Sequence, residues 1–140
     1  PELSRGLGDV YKRQMDNSAV LLVEDNDINR DMLTRRLTRA GLTVITAADG
    51  ISALGMMREH QPGVVLMDMT LPILDGWEAT QKAKKDPVIA DIPIIALTAH
   101  AMAADKERAI NAGCSEYETK PIDFPALLAK IYQFLEGSEA

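Results

Sequence analysis

Three carboxylates, a hydroxyl and an ammonium stand directly behind four short apolar or β-prone runs of this sequence. Glu24 and Asp25 follow Ala19 to Val23, Asp68 follows Val64 to Met67, Thr98 follows Ile92 to Leu97, and Lys120-Pro121 follows Glu116 to Thr119. Carboxylates brought close together repel, and their ionised form needs a cation. An all-oxygen set suits Mg2+, which takes one or two carboxylates together with phosphate oxygens. A lysine beside such a cluster binds a phosphoryl group as a point charge. Together these groups suit phosphoryl transfer onto a carboxylate, with metal and lysine neutralising the transferred charge. Singly they say little: a lone aspartate after a strand is more often a loop or cap residue, and a lone threonine a satisfied strand-end hydroxyl.

Other chemistries fail position by position. Asp25, Asp27 and Asn29 mimic the first ligands of an EF-hand loop, but its glycine would be Arg30 and its bidentate glutamate Arg36. No G-x-G-x-x-G and no G-x-x-x-x-G-K-[ST] occurs, which counts against a dinucleotide fold and a P-loop hydrolase. A haloacid-dehalogenase-type phosphatase needs a second aspartate two positions after the first, and that position is Thr70. Cys114 reads as a small buried thiol. His60 reads as a helix-end residue, and His100 as a residue flanking the site that is not a metal ligand.

The elements that must position these groups alternate in type. Strands are expected at Ala19 to Val23, Thr43 to Ala47, Val64 to Met67, Ile92 to Leu97 and Glu116 to Thr119. Helices are expected at Asp27 to Ala40, Gly50 to Glu59 capped by Asp49, Gly76 to Lys85, Met102 to Ala112, and from Asp123 to about Glu136. In the first helix Ile28, Met32, Leu33 and Leu37 are assigned to the buried face, and Arg30, Arg35, Arg36 and Arg39 to the solvated one. In the last, Leu127, Leu128, Ile131 and Phe134 are assigned inward. Five β-α units without a hairpin signal predict an α/β, doubly wound parallel sheet with helices on both faces. In such sheets the working crevice lies beyond the carboxyl ends of the strands, where the charged residues stand.

The 140 residues suffice for one domain, and the net charge of −6 disfavours binding to nucleic acid or an anionic membrane through the overall field. No apolar run could span a bilayer, and a single cysteine excludes a disulfide framework. A cytoplasmic location is expected. Pro1–Gln14 reads as a leader or an appended segment outside the fold, leaving Met15–Ala140 as the domain. That leader carries Arg5, Lys12 and Arg13 against Glu2 and Asp9, so the acidity belongs to the domain.

The set Leu22-Val23-Glu24-Asp25-Asn26, Met67-Asp68-Met69-Thr70-Leu71-Pro72 with Asp75-Gly76, Thr98-Ala99 and Lys120-Pro121 resembles the receiver domain of two-component response regulators. The resemblance covers about Ala19 to Leu135. It implies a flavodoxin-like, five-stranded order 2-1-3-4-5. It also implies that Asp68 is the phosphoacceptor, taking a phosphoryl group from a histidine kinase or histidine phosphotransfer protein. Asp25 resembles the direct Mg2+ ligand, Glu24 one acting through coordinated water, and the Thr70 backbone carbonyl completes the protein ligands with Asp68. Thr98 resembles the switch hydroxyl, Lys120 the phosphoryl-binding lysine, and Tyr117 the aromatic switch residue. Pro72 and Gly76 shape the loop after Asp68, and Pro121 follows a cis peptide. Thr70 and His100 flank the site and bear on attack of water.

The resemblance implies a phosphoprotein switch of the chemotaxis-regulator type that catalyses only its own phosphorylation and dephosphorylation. Its output is a protein target, with no direct nucleic-acid or membrane binding. Only Gly137 to Ala140 follow the last helix, which favours a stand-alone regulator. The alternative is the receiver of a hybrid histidine kinase or a longer regulator. A phosphorylation-independent pseudo-receiver is disfavoured by the full set of Asp68, Asp25, Thr98 and Lys120.

Overall fold

The apolar runs become strands β1 (Val20–Val23), β2 (Val44–Ala47), β3 (Val64–Asp68), β4 (Ile94–Thr98) and β5 (Glu116–Thr119). Between and after them lie helices α1 (Asp27–Arg39), α2 (Gly50–His60), α3 (Gly76–Lys85), α4 (Ala103–Ala112) and α5 (Phe124–Gly137). The computed structural model describes residues 19–99 and 102–137. The Pro1–Gln14 segment, His100 and the tail beyond Gly137 lie outside the described residues.

Every ladder is parallel, and the order is β2-β1-β3-β4-β5, as the resemblance implies. The chain runs outward from β1 to β2 and then crosses back to β3. That reversal opens a crevice at the carboxyl ends of β1 and β3.

β1, β3 and β4 are buried along their whole length, which explains apolar runs without alternation. The two sides of each strand feed separate cores. Leu21, Val23, Val65 and Met67 pack with Ala53, Leu54 and Met57 of α2, Ala79 and Ala83 of α3, and Ala109 of α4. Val20, Leu22, Leu66 and Ile95 pack instead with Leu37 of α1 and with Leu127 and Ile131 of α5. Side-chain caps fix where the helices start: Asn26 accepts from the Asn29 amide, Asp49 from Ser52, Asp75 from Glu78 and Asp123 from Ala126. Replacing such a cap with alanine typically costs about 1 kcal/mol. Gly41 and Gly113, at φ 92° and 112°, supply the left-handed turns after α1 and α4. Gln61 takes that conformation after α2, one residue ahead of Pro62.

Two apolar faces differ from expectation. Ile28 and Met32 are 70% and 57% exposed, and α1 turns Leu33 and Leu37 to the core, with Arg30 and Thr34 half-buried beside them. At about 100° per residue, Met32 stands a quarter-turn from Leu33, so one face cannot bury all four. In α5, Leu128 is only half-buried, while Phe134 and Leu135 pack against Leu127 and Ile131. β4 starts at Ile94 instead of Ile92, because Ile92 closes a turn through its amide to the Ile89 carbonyl.

Candidate functional site

β1 delivers the first two acids. The Glu24 amide still donates to the Ala47 carbonyl of β2, at 3.0 Å, so its side chain is aimed by the sheet. The chain then leaves the ladder, exposing Asp25, and Asn26 caps α1. β3 delivers the third acid as its last residue: Asp68 is buried, as is Glu24, and the carboxylates of Glu24, Asp25 and Asp68 lie within 4.8 Å of one another.

The backbone around Asp68 is tight. Its Oδ1 accepts from the Thr70 amide at 3.0 Å. A Cβ on Gly76 would stand 2.4 Å from the Asp68 carbonyl oxygen and 2.7 Å from Met69 Cα, so only glycine lets α3 start there. The intervening loop passes Ile73 at φ 67°, where the Leu74 amide reaches the Pro72 carbonyl at 2.7 Å. This is a γ-turn, a strained conformation for a β-branched residue.

The cation comes from the far strand. Lys120 follows β5, its amide donates to the Thr98 carbonyl at 2.7 Å, and the Lys120-Pro121 peptide is cis, as expected. Its Nζ lies 3.2 Å from Asp68 Oδ2 and 3.5 Å from Glu24 Oε2. Glu24, Asp25, Asp68 and Lys120 are thus brought together from three strands.

The remaining predicted residues lie around this cluster. Thr98 is the buried last residue of β4, in register with Thr119; Asp68 pairs with Leu97, so Thr98 stands one residue further along the carboxyl edge. Tyr117 pairs with Ala96, two residues back from that edge, and belongs to the buried core on the side of the sheet that α2, α3 and α4 cover. The Tyr117 hydroxyl is buried with no hydrogen-bond partner among the described residues. Burial and then the Asp105 charge hold this phenol above its ordinary value.

The acids carry more negative charge than one ammonium offsets. Burial, followed by the hydrogen bond and charge of Asp68, pushes Glu24 up to about 7, against the lowering effects of Lys120 and the Asn26 amide. Without a cation, Glu24 is therefore partly protonated near neutral pH. Hard oxygen donors with an excess of negative charge fit Mg2+. A pH dependence follows. A carboxyl whose pKa is raised on folding makes a contribution that is fully present below its unfolded value, near 4.5, and is lost as pH rises through about 7. The metal-free protein should lose thermal stability across that window, and Mg2+ should restore it most at the alkaline end. Melting curves of the parent and Glu24→Gln check this, since the variant should show a flatter profile between pH 5 and 8.

Two functional contributions escape a reading of the sequence. Arg30, assigned there to a solvated arginine row, is half-buried and donates through Nη1 to the Glu24 carbonyl at 2.8 Å. Its signal is an arginine one turn into a helix that follows an acidic pair. Lys84 donates to the Ala90 and Ile92 carbonyls, at 2.9 and 2.8 Å, and so fixes the entry to β4. Cys114 is a buried thiol, pushed up to about 11 by burial. Trp77, half-buried, lies under the Arg108 guanidinium at 4.2 Å.

Comparison with known proteins agrees with this arrangement. Residues 20–132 match the model of the response regulator receiver domain. The chain is 38% identical over 117 residues to the polar-differentiation response regulator DivK of Brucella anthropi, covering 84% of this chain and 95% of that protein. Among solved structures, the receiver domain of a sensor histidine kinase from Pseudomonas aeruginosa, with a magnesium ion coordinated in its active-site cleft, is 34% identical with a TM-score of 0.78. That match covers 86% of this chain and 98% of the other. The receiver domain of Saccharomyces cerevisiae Ssk1, crystallised with the histidine phosphotransfer protein Ypd1, is 33% identical with a TM-score of 0.77, covering 84% and 88%. With the strand order and the clustered acids already in place, these matches identify the chain as a member of the receiver-domain family of two-component response regulators.

Proposed function

We propose that the chain is a phosphorylation-controlled switch in which Asp68 accepts a phosphoryl group from a histidine kinase or a histidine phosphotransfer protein. The observation that carries this reading is a buried strand-end carboxylate with an ammonium 3.2 Å away and two further acids beside it. An Asp68 oxygen forms the new O–P bond as the P–N bond of the donor phosphohistidine breaks, and the imidazole leaves with the electron pair. The Thr70 amide and Lys120 hold the two Asp68 oxygens, which fixes the direction of attack. Lys120, and Thr98 at the neighbouring strand end, neutralise charge on the transferred oxygens. Asp25, Asp68 and the Thr70 carbonyl would hold Mg2+ directly and Glu24 through water; when bound, the ion supplies further neutralisation of phosphoryl charge. As a receiver domain the protein acts as a switch, and the chemistry proposed for it is its own phosphorylation and dephosphorylation.

The segment from Met15 to Ala140 is assigned to this receiver, with Pro1–Gln14 outside it. The fit to 95% of DivK supports a stand-alone regulator, for which the proposed output is a protein target in the cytoplasm. The 34% identity to a sensor kinase's receiver favours the second reading, a receiver within a longer relay protein. No helix among the described residues is long and apolar enough to cross a membrane.

Incubation with Mg2+ and acetyl phosphate, followed by intact mass, tests the reading. A phosphate-sized gain that a chelator abolishes is expected. Absence of any gain in folded protein would instead support a binding-only module. For the switch itself, Thr98→Ala should still accept the phosphoryl group, but phosphorylation should change partner affinity much less than in the parent. Tyr117→Ala should act on the same step, because a phosphoryl-bound Thr98 vacates space next to strand β5. Titrations of the two single variants and the double variant should therefore give a combined loss smaller than the sum.

A further inference from the structure

We infer that Arg30 is a positioning residue for the divalent-cation site, acting through the backbone of the two acids. This rests on the metal-dependent reading above and adds to it a residue that does not touch the ion. β1 ends at Val23, so the Glu24 and Asp25 carbonyls have left the strand while their side chains must still face Asp68. Arg30, one turn into α1, reaches back over the helix start: Nη1 donates to the Glu24 carbonyl at 2.8 Å and approaches the Asp25 carbonyl at 3.5 Å. Nη2 pairs with the Asp27 carboxylate, which fixes the plane of the guanidinium. The Arg30 amide donates to the Asn26 carbonyl at 2.9 Å, and the Asn26 amide to Glu24 Oε1 at 3.2 Å. One residue thereby ties both ends of the β1–α1 turn that carries Glu24 and Asp25. Its side chain is 23% exposed, whereas the Arg35 side chain on the same helix is 69% exposed and pairs with Asp31.

The sign of the effect separates positioning from plain electrostatics. Removing a positive charge beside a cation site should tighten cation binding through Coulomb's law. Releasing the turn should weaken it, because outer partners that orient ligands typically contribute about 10–100-fold to metal affinity. The inference therefore predicts weaker binding despite the lost charge.

The test is calorimetric titration of the full chain with Mn2+ and with Mg2+, alongside melting curves in chelator. Arg30→Met should bind either ion at least about tenfold more weakly than the parent, while still melting cooperatively. Arg30→Lys, which keeps the charge but loses the fork, should fall between the two. If Arg30→Met does not fold, Arg30→Lys carries the test: it keeps the charge, so the weaker binding expected there reports the lost fork and not Coulomb's law. Arg35→Met, which removes the same charge at an exposed position, should leave affinity unchanged or slightly tighter. Unchanged or tighter binding in folded Arg30→Met, or in Arg30→Lys where Arg30→Met does not fold, overturns the inference. Asp25→Ala separates it from the reading beneath: loss of binding there with none in Arg30→Met defeats only the role of Arg30. Retention of full affinity in Asp25→Ala defeats the placement of the ion itself.

Discussion

Asp68→Asn should take up no phosphoryl group under conditions in which the parent is modified to completion. An amide oxygen is a far weaker nucleophile than a carboxylate, and no other carboxyl in the cluster has the surroundings of Asp68. Glu24 is partly protonated without metal, Asp25 is exposed, and the Thr70 amide donates to Asp68. The fold should survive, because the asparagine carbonyl can accept the same Thr70 amide and its volume matches. Stability of the metal-free variant should rise. The Asp68 hydrogen bond and charge are the main causes after burial that raise Glu24, and removing that charge relieves repulsion in a buried pair. Intact mass after exposure to acetyl phosphate and Mg2+ measures the first expectation, and a urea melt the second. Equal mass gain in variant and parent would move the phosphoacceptor elsewhere.

Gly76→Ala should destabilise the protein by about 2–3 kcal/mol or more, as overpacking against unyielding atoms does. The new methyl would meet backbone, the Asp68 carbonyl oxygen at 2.4 Å and Met69 Cα at 2.7 Å, together with Met69 Sδ at 2.7 Å. A side chain can swing aside, but the end of β3 cannot move without carrying Asp68 with it. Phosphoryl uptake should therefore slow along with the loss of stability. Gly55→Ala is the internal control: its added methyl meets nothing within 4 Å in the middle of α2. Gly-to-Ala exchange in an open helical position should stabilise by about 0.5–1 kcal/mol. Chemical denaturation of both variants measures the contrast, and equal shifts in the same direction would contradict the close approach of α3 to Asp68.

Strands β1, β3 and β4 were legible because burial on both faces leaves an unbroken apolar run, and Asp49 and Asp123 announced their helices as side-chain caps, a role that Asn26 and Asp75 also play in the structure. The site was legible for a related reason: parallel strands end on one edge, so residues directly after them must meet. Strand order was not readable from periodicity, since the pattern of β1 is the same in any neighbourhood; it came from the resemblance. The face of α1 was misjudged because Ile28 and Met32 are apolar by type, yet they stand about a quarter-turn or more from the Leu33–Leu37 line. Arg30 was missed for the converse reason. A charged residue on a surface helix reads as solvated, and only the coordinates show its guanidinium turned back onto the Glu24 carbonyl. Tyr117 keeps its strand position and packs in the core, a burial that strand periodicity alone does not give at an edge strand.

The most direct test of the central claim is chemical mapping of the modified residue. Protein treated with acetyl phosphate and Mg2+ would be reduced with borohydride, which converts an acyl phosphate to the alcohol, and then digested for tandem mass spectrometry. The account predicts homoserine at position 68, found only when both the phosphodonor and Mg2+ were present. Reduction at Glu24 or Asp25, or a phosphoryl group stable to borohydride, would contradict it.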